Sequence, residues 1–166
     1  GSFDPPHVAH TLVVAYVLGA HPIDRVLVTP AAAHAFGKRL RAFEDRMRMC
    51  ELAFAVLRSV EVSPIEHELP APSLTLRTLQ ALHARHPDVR LRLVLGTDLA
   101  AETHAWHDFA KVEALAPPLW VGRQGYTHDP SRPAMPEISS TEIRRRLVAG
   151  EPTDGLLAPA VARYIA

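Results

Sequence analysis

The sequence predicts a doubly wound α/β protein, a parallel sheet with helices on both faces, folded as one domain over residues 1–166. Three observations carry this. Short β-branched, apolar runs recur along the chain, longer segments with helical spacing separate them, and a proline or glycine closes most of the runs. Strands that alternate with helices favour parallel pairing through right-handed crossovers.

Taken in order, residues 8–18 form an apolar stretch of helical length, entered through Pro5-Pro6 and ending near Gly19. Residues 25–29 are a short strand stopped by Pro30. Residues 41–58 carry Phe43, Met47, Cys50, Leu52, Phe54 and Leu57 with charges between them, which predicts an amphipathic helix. Residues 60–62 read as a strand closed by Pro64, 74–84 as a helix, and 91–95 as a strand ending at Gly96. Residues 119–121 are a short strand, and 141–148 and 159–165 are closing helices. The most mobile segment is expected at 125–136, where Pro130, Pro133 and Pro136 interrupt polar sequence. The chain opens without a methionine, inside a loop, and a strand is expected to precede that loop.

Composition narrows the function. Apolar residues make up 48% and charged residues 22% of 166 residues. Lys+Arg and Asp+Glu are 18 each, so no basic field exists to attract nucleic acid or an anionic membrane. No apolar run reaches the roughly 20 residues of a membrane span, and no signal peptide is visible. The single cysteine, Cys50, lies in a helical pattern beside Met47 and Met49 and reads as a core thiol. These features point to the cytoplasm and leave a homo-oligomer open.

The first chemical signal is Gly1-Ser2-Phe3-Asp4-Pro5-Pro6-His7-Val8-Ala9-His10. Two prolines cannot continue a strand ladder but can open a helix. His7 and His10 then share one helical face near its N-terminus. Free N–H groups and a positive dipole make that end a phosphate site, and two imidazoles add donors for phosphoryl oxygens. A chance histidine pair is the plain alternative in a chain with ten histidines. A zinc site lacks a third ligand at the usual spacing. The second signal is Ile138-Ser139-Ser140-Thr141-Glu142-Ile143-Arg144. One hydroxyl suffices for a helix cap, whereas three in a row, with Arg144 one turn beyond Thr141, can grip a polyphosphate.

Together these segments resemble the nucleotidyltransferase superfamily, with its early HxGH and late ISSTxIR motifs and its Rossmann-like domain. The chain is most similar to the bacterial nicotinate-nucleotide adenylyltransferases. Further matches are Asp45-Arg46-Met47, Ser73-Leu74-Thr75 with Thr78-Leu79, Gly96-Thr97-Asp98, Trp106, Gly122-Arg123, and Leu157-Ala158-Pro159 with Val161 and Tyr164-Ile165. Departures are Ala9 at the HxGH glycine, Leu74 at an aromatic position, and 33–38 in place of a Pro-Pro-His-Lys segment. The stretch between Arg123 and Ser139 is also short.

The resemblance implies transfer of AMP from ATP to nicotinate mononucleotide, releasing deamido-NAD and pyrophosphate, with Mg²⁺ carried on the phosphates. It implies that Gly1, Ser2, Phe3, His7, His10, Gly96, Asp98, Ser139, Ser140, Thr141 and Arg144 bind ATP. Of these, His7, His10 and Arg144 act catalytically, joined by Lys38. Lys38, Thr75, Asp98, Trp106, His107 and Arg123 are implied to hold the acceptor, with its pyridine ring stacked on Trp106. No residue is assigned to bind metal directly. Plain alternatives stand beside several of these roles: a solvated loop lysine for Lys38, a helix cap for Asp98, and core packing for Trp106. Rival functions are a nicotinamide-mononucleotide adenylyltransferase, a cytidylyltransferase for a phosphorylated alcohol, and a nucleotide-binding sensor without turnover.

Overall fold

The computed structural model describes residues 1–33, 39–126, 129–130 and 132–166. In chain order the elements are α1 (Val8–Ala20), β1 (Val26–Val28), α2 (Phe43–Phe54), β2 (Val60–Val62), α3 (Ile65–Glu68) and α4 (Thr75–Arg85). There follow β3 (Leu93–Gly96), a 3₁₀ helix (Thr97–Ala105), α5 (Phe109–Leu115), β4 (Pro118–Arg123), β5 (Ala134–Met135), α6 (Ser140–Ala149) and α7 (Pro159–Ile165). They divide between two compact units, Gly1–Glu68 with Ile138–Ala166, and Leu69–Glu137. Every strand pairing among the described residues is parallel, as the alternating pattern requires.

In the first unit β1 pairs with β2, Val26 opposite Val60 and Val28 opposite Val62. Gly1 adds a parallel rung beyond the end of β1: its amino group donates to the Thr29 carbonyl at 3.0 Å, and its carbonyl accepts from Ala31 N–H at 2.8 Å. This rung holds the first motif at the carboxyl end of β1, where ligands bind in open α/β sheets. The core beneath is built from Val14, Val28, Met49, Cys50, Ala53, Phe54, Ile143, Leu157 and Val161. Each large aliphatic or aromatic side chain so buried contributes about 1.5–3 kcal/mol. α1, α2, α6 and α7 therefore share one core, which brings the two ends of the chain together. Cys50 is fully buried, as expected of a core thiol, and burial pushes its pKa up to about 12.

In the second unit β4 lies between β3 and β5, with Leu93 opposite Pro118 and Gly122 opposite Ala134. Leu76 and Leu79 of α4 pack with Val112 and Ala116 at α5 to form its core.

The structure corrects several element boundaries. The helix expected over 41–58 spans only Phe43–Phe54, because Leu57 N–H bonds to the Phe54 carbonyl in a turn and Ser59 takes a left-handed φ of 58°. Within 125–136, expected as the most mobile segment, Ala134–Met135 pair with β4 as β5. α3, the 3₁₀ helix and α5 add elements that the sequence pattern did not separate from loop.

Candidate active site

In the first unit, His7 is the N-cap residue of α1, in extended backbone. Its N–H donates to His10 Nδ1 at 3.1 Å, and His10 N–H donates to the His7 carbonyl at 2.9 Å. The two rings stack at 3.7 Å and 23°. Because Nδ1 accepts a hydrogen bond, the neutral His10 imidazole carries its proton on Nε2, the donor of the ring. The Phe3 ring lies 4.8 Å from the His10 ring and meets Phe54 of the core edge-on at 6.2 Å. Phe3 has φ 48°, a left-handed conformation that costs a non-glycine residue about 1–3 kcal/mol and persists only where its surroundings enforce it.

The late motif arrives at the same loop. Ser139 is the N-cap of α6, its hydroxyl accepting from Glu142 N–H at 3.1 Å. Ser140 Oγ donates to the Pro5 carbonyl at 2.9 Å. Arg144 donates one N–H to the Asp4 carbonyl and another to Thr141 Oγ1 at 3.3 Å, and stands 3.9 Å from the Asp4 carboxylate. Its neighbours point elsewhere: Arg145 binds Glu142 and Glu151, and Arg146 binds Glu142. Hydrogen bonds from Arg145 and then Arg146 pull the Glu142 carboxyl down to about 2. Of the three consecutive arginines, Arg144 is thus the one turned to the loop of the first motif. Ser140 and Arg144 fasten the N-terminus of α6 to Asp4-Pro5, just ahead of the N-terminus of α1. Positive dipole ends at both helices, with imidazole and guanidinium donors, make a setting for phosphate oxygens.

Two further residues support this arrangement, and no role was read for either from the sequence. Asp4 is buried, and its carboxylate accepts from Arg41 N–H at 3.3 Å as well as facing Arg144. Arg46, inside α2, is only 1% exposed. Both lie in segments that carry the family likeness, which was the one available signal.

The second unit holds the other expected residues. Gly96 closes β3, and an added Cβ there would stand 2.2 Å from Asp98 Oδ1, so a larger residue would have to displace the Asp98 carboxylate. Asp98 Oδ2 accepts from Arg123 at 2.5 Å, and Arg123 N–H donates to Thr97 Oγ1 at 3.2 Å. The N-cap of the 3₁₀ helix is Gly96, and Asp98 makes an ion pair at the carboxyl ends of β3 and β4. Trp106 is half-buried after the 3₁₀ helix and meets Phe109 edge-on at 5.8 Å. His107 is exposed, and Thr75 is the first residue of α4. Lys38 lies outside the described residues. Among the described residues no three or more His, Cys, Asp or Glu gather to hold a metal ion, and none of their helices is long and apolar enough to cross a membrane.

Comparison with known proteins shows the family. The family model described as cytidylyltransferase-like matches residues 1–146. A protein of Anaeromyxobacter sp. (strain K) named "Probable nicotinate-nucleotide adenylyltransferase" is 47% identical over 168 residues, covering 99% of this chain and 90% of the relative. One of the same name from Myxococcus xanthus is 38% identical over 165 residues, covering 98% of this chain and 87% of the relative. The solved Plasmodium falciparum nicotinic acid mononucleotide adenylyltransferase complexed with NaAD superposes with a TM-score of 0.83 at 22% identity, covering 99% of this chain and 91% of that one. That likeness shows the Rossmann-like fold of the nucleotidyltransferases. With the family model and the relatives both spanning most of its length, the chain belongs to the cytidylyltransferase-like family and, within it, to the nicotinate-nucleotide adenylyltransferases.

Proposed function

We propose that residues 1–166 act as a nucleotidyltransferase domain that transfers AMP from ATP to nicotinate mononucleotide, giving deamido-NAD and pyrophosphate. The observation that carries this reading is the fastening of Ser140 and Arg144 to the Asp4-Pro5 loop beside His10, which gathers two helix N-termini and their donors. A phosphate oxygen of the acceptor attacks the α-phosphorus of ATP in line. A new P–O bond forms there, the bond to the β-phosphate bridging oxygen breaks, and pyrophosphate leaves with the electron pair. The attacking oxygen is already anionic at neutral pH, since a phosphate monoester has a second pKa of about 6, so no general base is required. Catalysis is then positioning and charge stabilisation.

In this reading His10 donates from Nε2 to the α-phosphate and His7 supports it at the helix entry. Ser139, Ser140, Thr141 and Arg144 receive the β- and γ-phosphates beside the backbone of Gly1, Ser2 and Phe3, and Gly96 and Asp98 bind ATP by family likeness. Mg²⁺ enters as part of the Mg-ATP substrate, which suits a donor set of N–H, imidazole and guanidinium groups rather than carboxylates. Lys38, one of only two lysines in the chain, adds a further phosphate contact. Trp106 stacks on the pyridine ring, Thr75 and the backbone at His107 take the nicotinate carboxylate, and Asp98 and Arg123 border the acceptor.

Hydroxyl and backbone N–H donors suit a carboxylate, which only accepts hydrogen bonds. They meet the NH₂ of the nicotinamide form donor to donor, at about 1–3 kcal/mol for each unpaired group. Two such mismatches give a preference of roughly 100-fold or more for nicotinate mononucleotide. The test is pyrophosphate release with saturating Mg-ATP, comparing kcat/KM for the two mononucleotides. Equal values, or a preference for the amide, overturn the acceptor assignment. No release with either overturns the activity.

A further inference from the structure

Arg46 is a charged residue at a core position of α2, and the transfer reaction as read above gives it no part. Burial of an arginine at 1% exposure is costly unless its donors are met. Here two of them are met by backbone. Nε donates to the Arg41 carbonyl at 3.0 Å, and one terminal N–H donates to the Ser2 carbonyl, also at 3.0 Å. The guanidinium lies 5.4 Å from the Phe43 ring centroid. Burial lowers its pKa from the ordinary arginine value, and the nearby Asp4 carboxylate opposes that.

These bonds close a circuit. Arg46 ties Ser2 to Arg41, and Arg41 N–H returns to the Asp4 carboxylate. Only Phe3 lies between the two anchored positions, so its left-handed backbone is fixed from both sides. Its ring is thereby set against the His10 imidazole, and Asp4 is set against Arg144. A planar fork that joins two carbonyls is within the reach of arginine and not of lysine, whose ammonium is a single point charge.

We infer that Arg46 is a positioning residue for the transfer: it fixes the Ser2–Asp4 loop and, through Phe3 and Asp4, orients His10 and Arg144. The inference rests on the reading in which those two residues handle phosphate, but its first test does not depend on turnover. Imidazole nitrogen NMR reports which nitrogen of His10 carries the proton. The parent shows the Nε2–H tautomer. Arg46→Met, which keeps an apolar stem and loses both donors, shows a mixture of tautomers while still melting cooperatively. If the folded variant keeps the parent's His10 signature, the inference is overturned.

The second test is kinetic. Arg46→Met lowers kcat by roughly ten-fold or more and changes KM for Mg-ATP by less than about three-fold, as expected when transition-state contacts are lost. Added to His10→Ala, it lowers kcat by a smaller factor than it does alone, because part of its effect runs through His10. A purely structural role predicts instead that the two losses multiply, and that result also overturns the inference. Should Arg46→Met fail to fold, Arg46→Lys carries the same readouts with a partial loss. If the parent releases no pyrophosphate while the His10 signature still responds to Arg46, the proposed activity falls and the positioning role stands.

Discussion

Replacing Asp4 by Asn removes a negative charge from the loop without changing its shape. Asn can still accept from Arg41 N–H, so the loss is mainly that of the charge that faces Arg144 at 3.9 Å. At an effective dielectric constant of about 20, a pair at this distance is worth about 4 kcal/mol. Arg144 has 34% of its side chain exposed, and solvent screening brings the net contribution to roughly 1–2 kcal/mol. For a chain of this length that is a fall in Tm of roughly 2–8 °C. A second effect has the opposite sign. Asp4 competes with any phosphate for Arg144, so a bound polyphosphate replaces the missing charge in the variant and stabilises it more than it does the parent. Urea unfolding of Asp4→Asn and the parent, each with and without Mg-ATP, reads both effects. The deficit should be roughly 1–2 kcal/mol without nucleotide and should shrink by about half or more with it. A variant as stable as the parent, or a deficit that nucleotide leaves unchanged, would refute the view that Asp4 and phosphate share Arg144.

Two other expectations are independent of that pair. Trp106→Ala should weaken nicotinate mononucleotide binding by roughly ten- to a hundred-fold, since aromatic stacking is worth about 1–3 kcal/mol per base. ATP affinity and thermal stability should change little, because Trp106 is outside the Leu76, Leu79, Val112 and Ala116 core; calorimetric titration with each ligand checks this, and equal weakening of both would count against stacking. The Cys50 thiol ionises near its ordinary value of 9.0 in the unfolded chain and at about 12 in the folded one. Between those values only the folded state keeps the proton, so its contribution to stability is complete below pH 9 and falls by about 1.4 kcal/mol per pH unit above it. Cys50→Ala, less stable at pH 7 through its cavity, should show a correspondingly shallower alkaline decline in urea unfolding, and parallel declines would contradict the burial argument.

What could be read from the sequence, and what could not, divides along the range of the interactions. The entry of α1 was legible because Pro5-Pro6 acts on its own neighbours. β2 was legible to its bounds because β-branched residues meet Pro64. The two helix-opening motifs were legible for the same reason, each being a local pattern. β5 was not, since Pro133 and Pro136 flank it and only pairing with β4 makes Ala134–Met135 a strand. α5 carries Phe109, Val112 and Leu115 at helical spacing, but seven residues are too few for the periodicity to stand out.

Arg46 and Asp4 were missed for a more instructive reason. An arginine between apolar positions of an amphipathic helix reads as a solvated charge, because most are. Its burial depends on two carbonyls, Arg41 and Ser2, and the second belongs to a loop 44 positions away. Asp4 likewise gains its role from Arg144, 140 positions distant. In a parallel α/β fold the strands carry loops from far-apart positions to their carboxyl ends, so the residues that touch a ligand recur as short motifs. The residues that hold those motifs in register are scattered, and only the folded chain brings them to one place. Such positions tolerate change poorly for geometric reasons: Arg46→Lys keeps the charge and the stem, yet one ammonium cannot replace a fork bound to two carbonyls 39 residues apart in the chain.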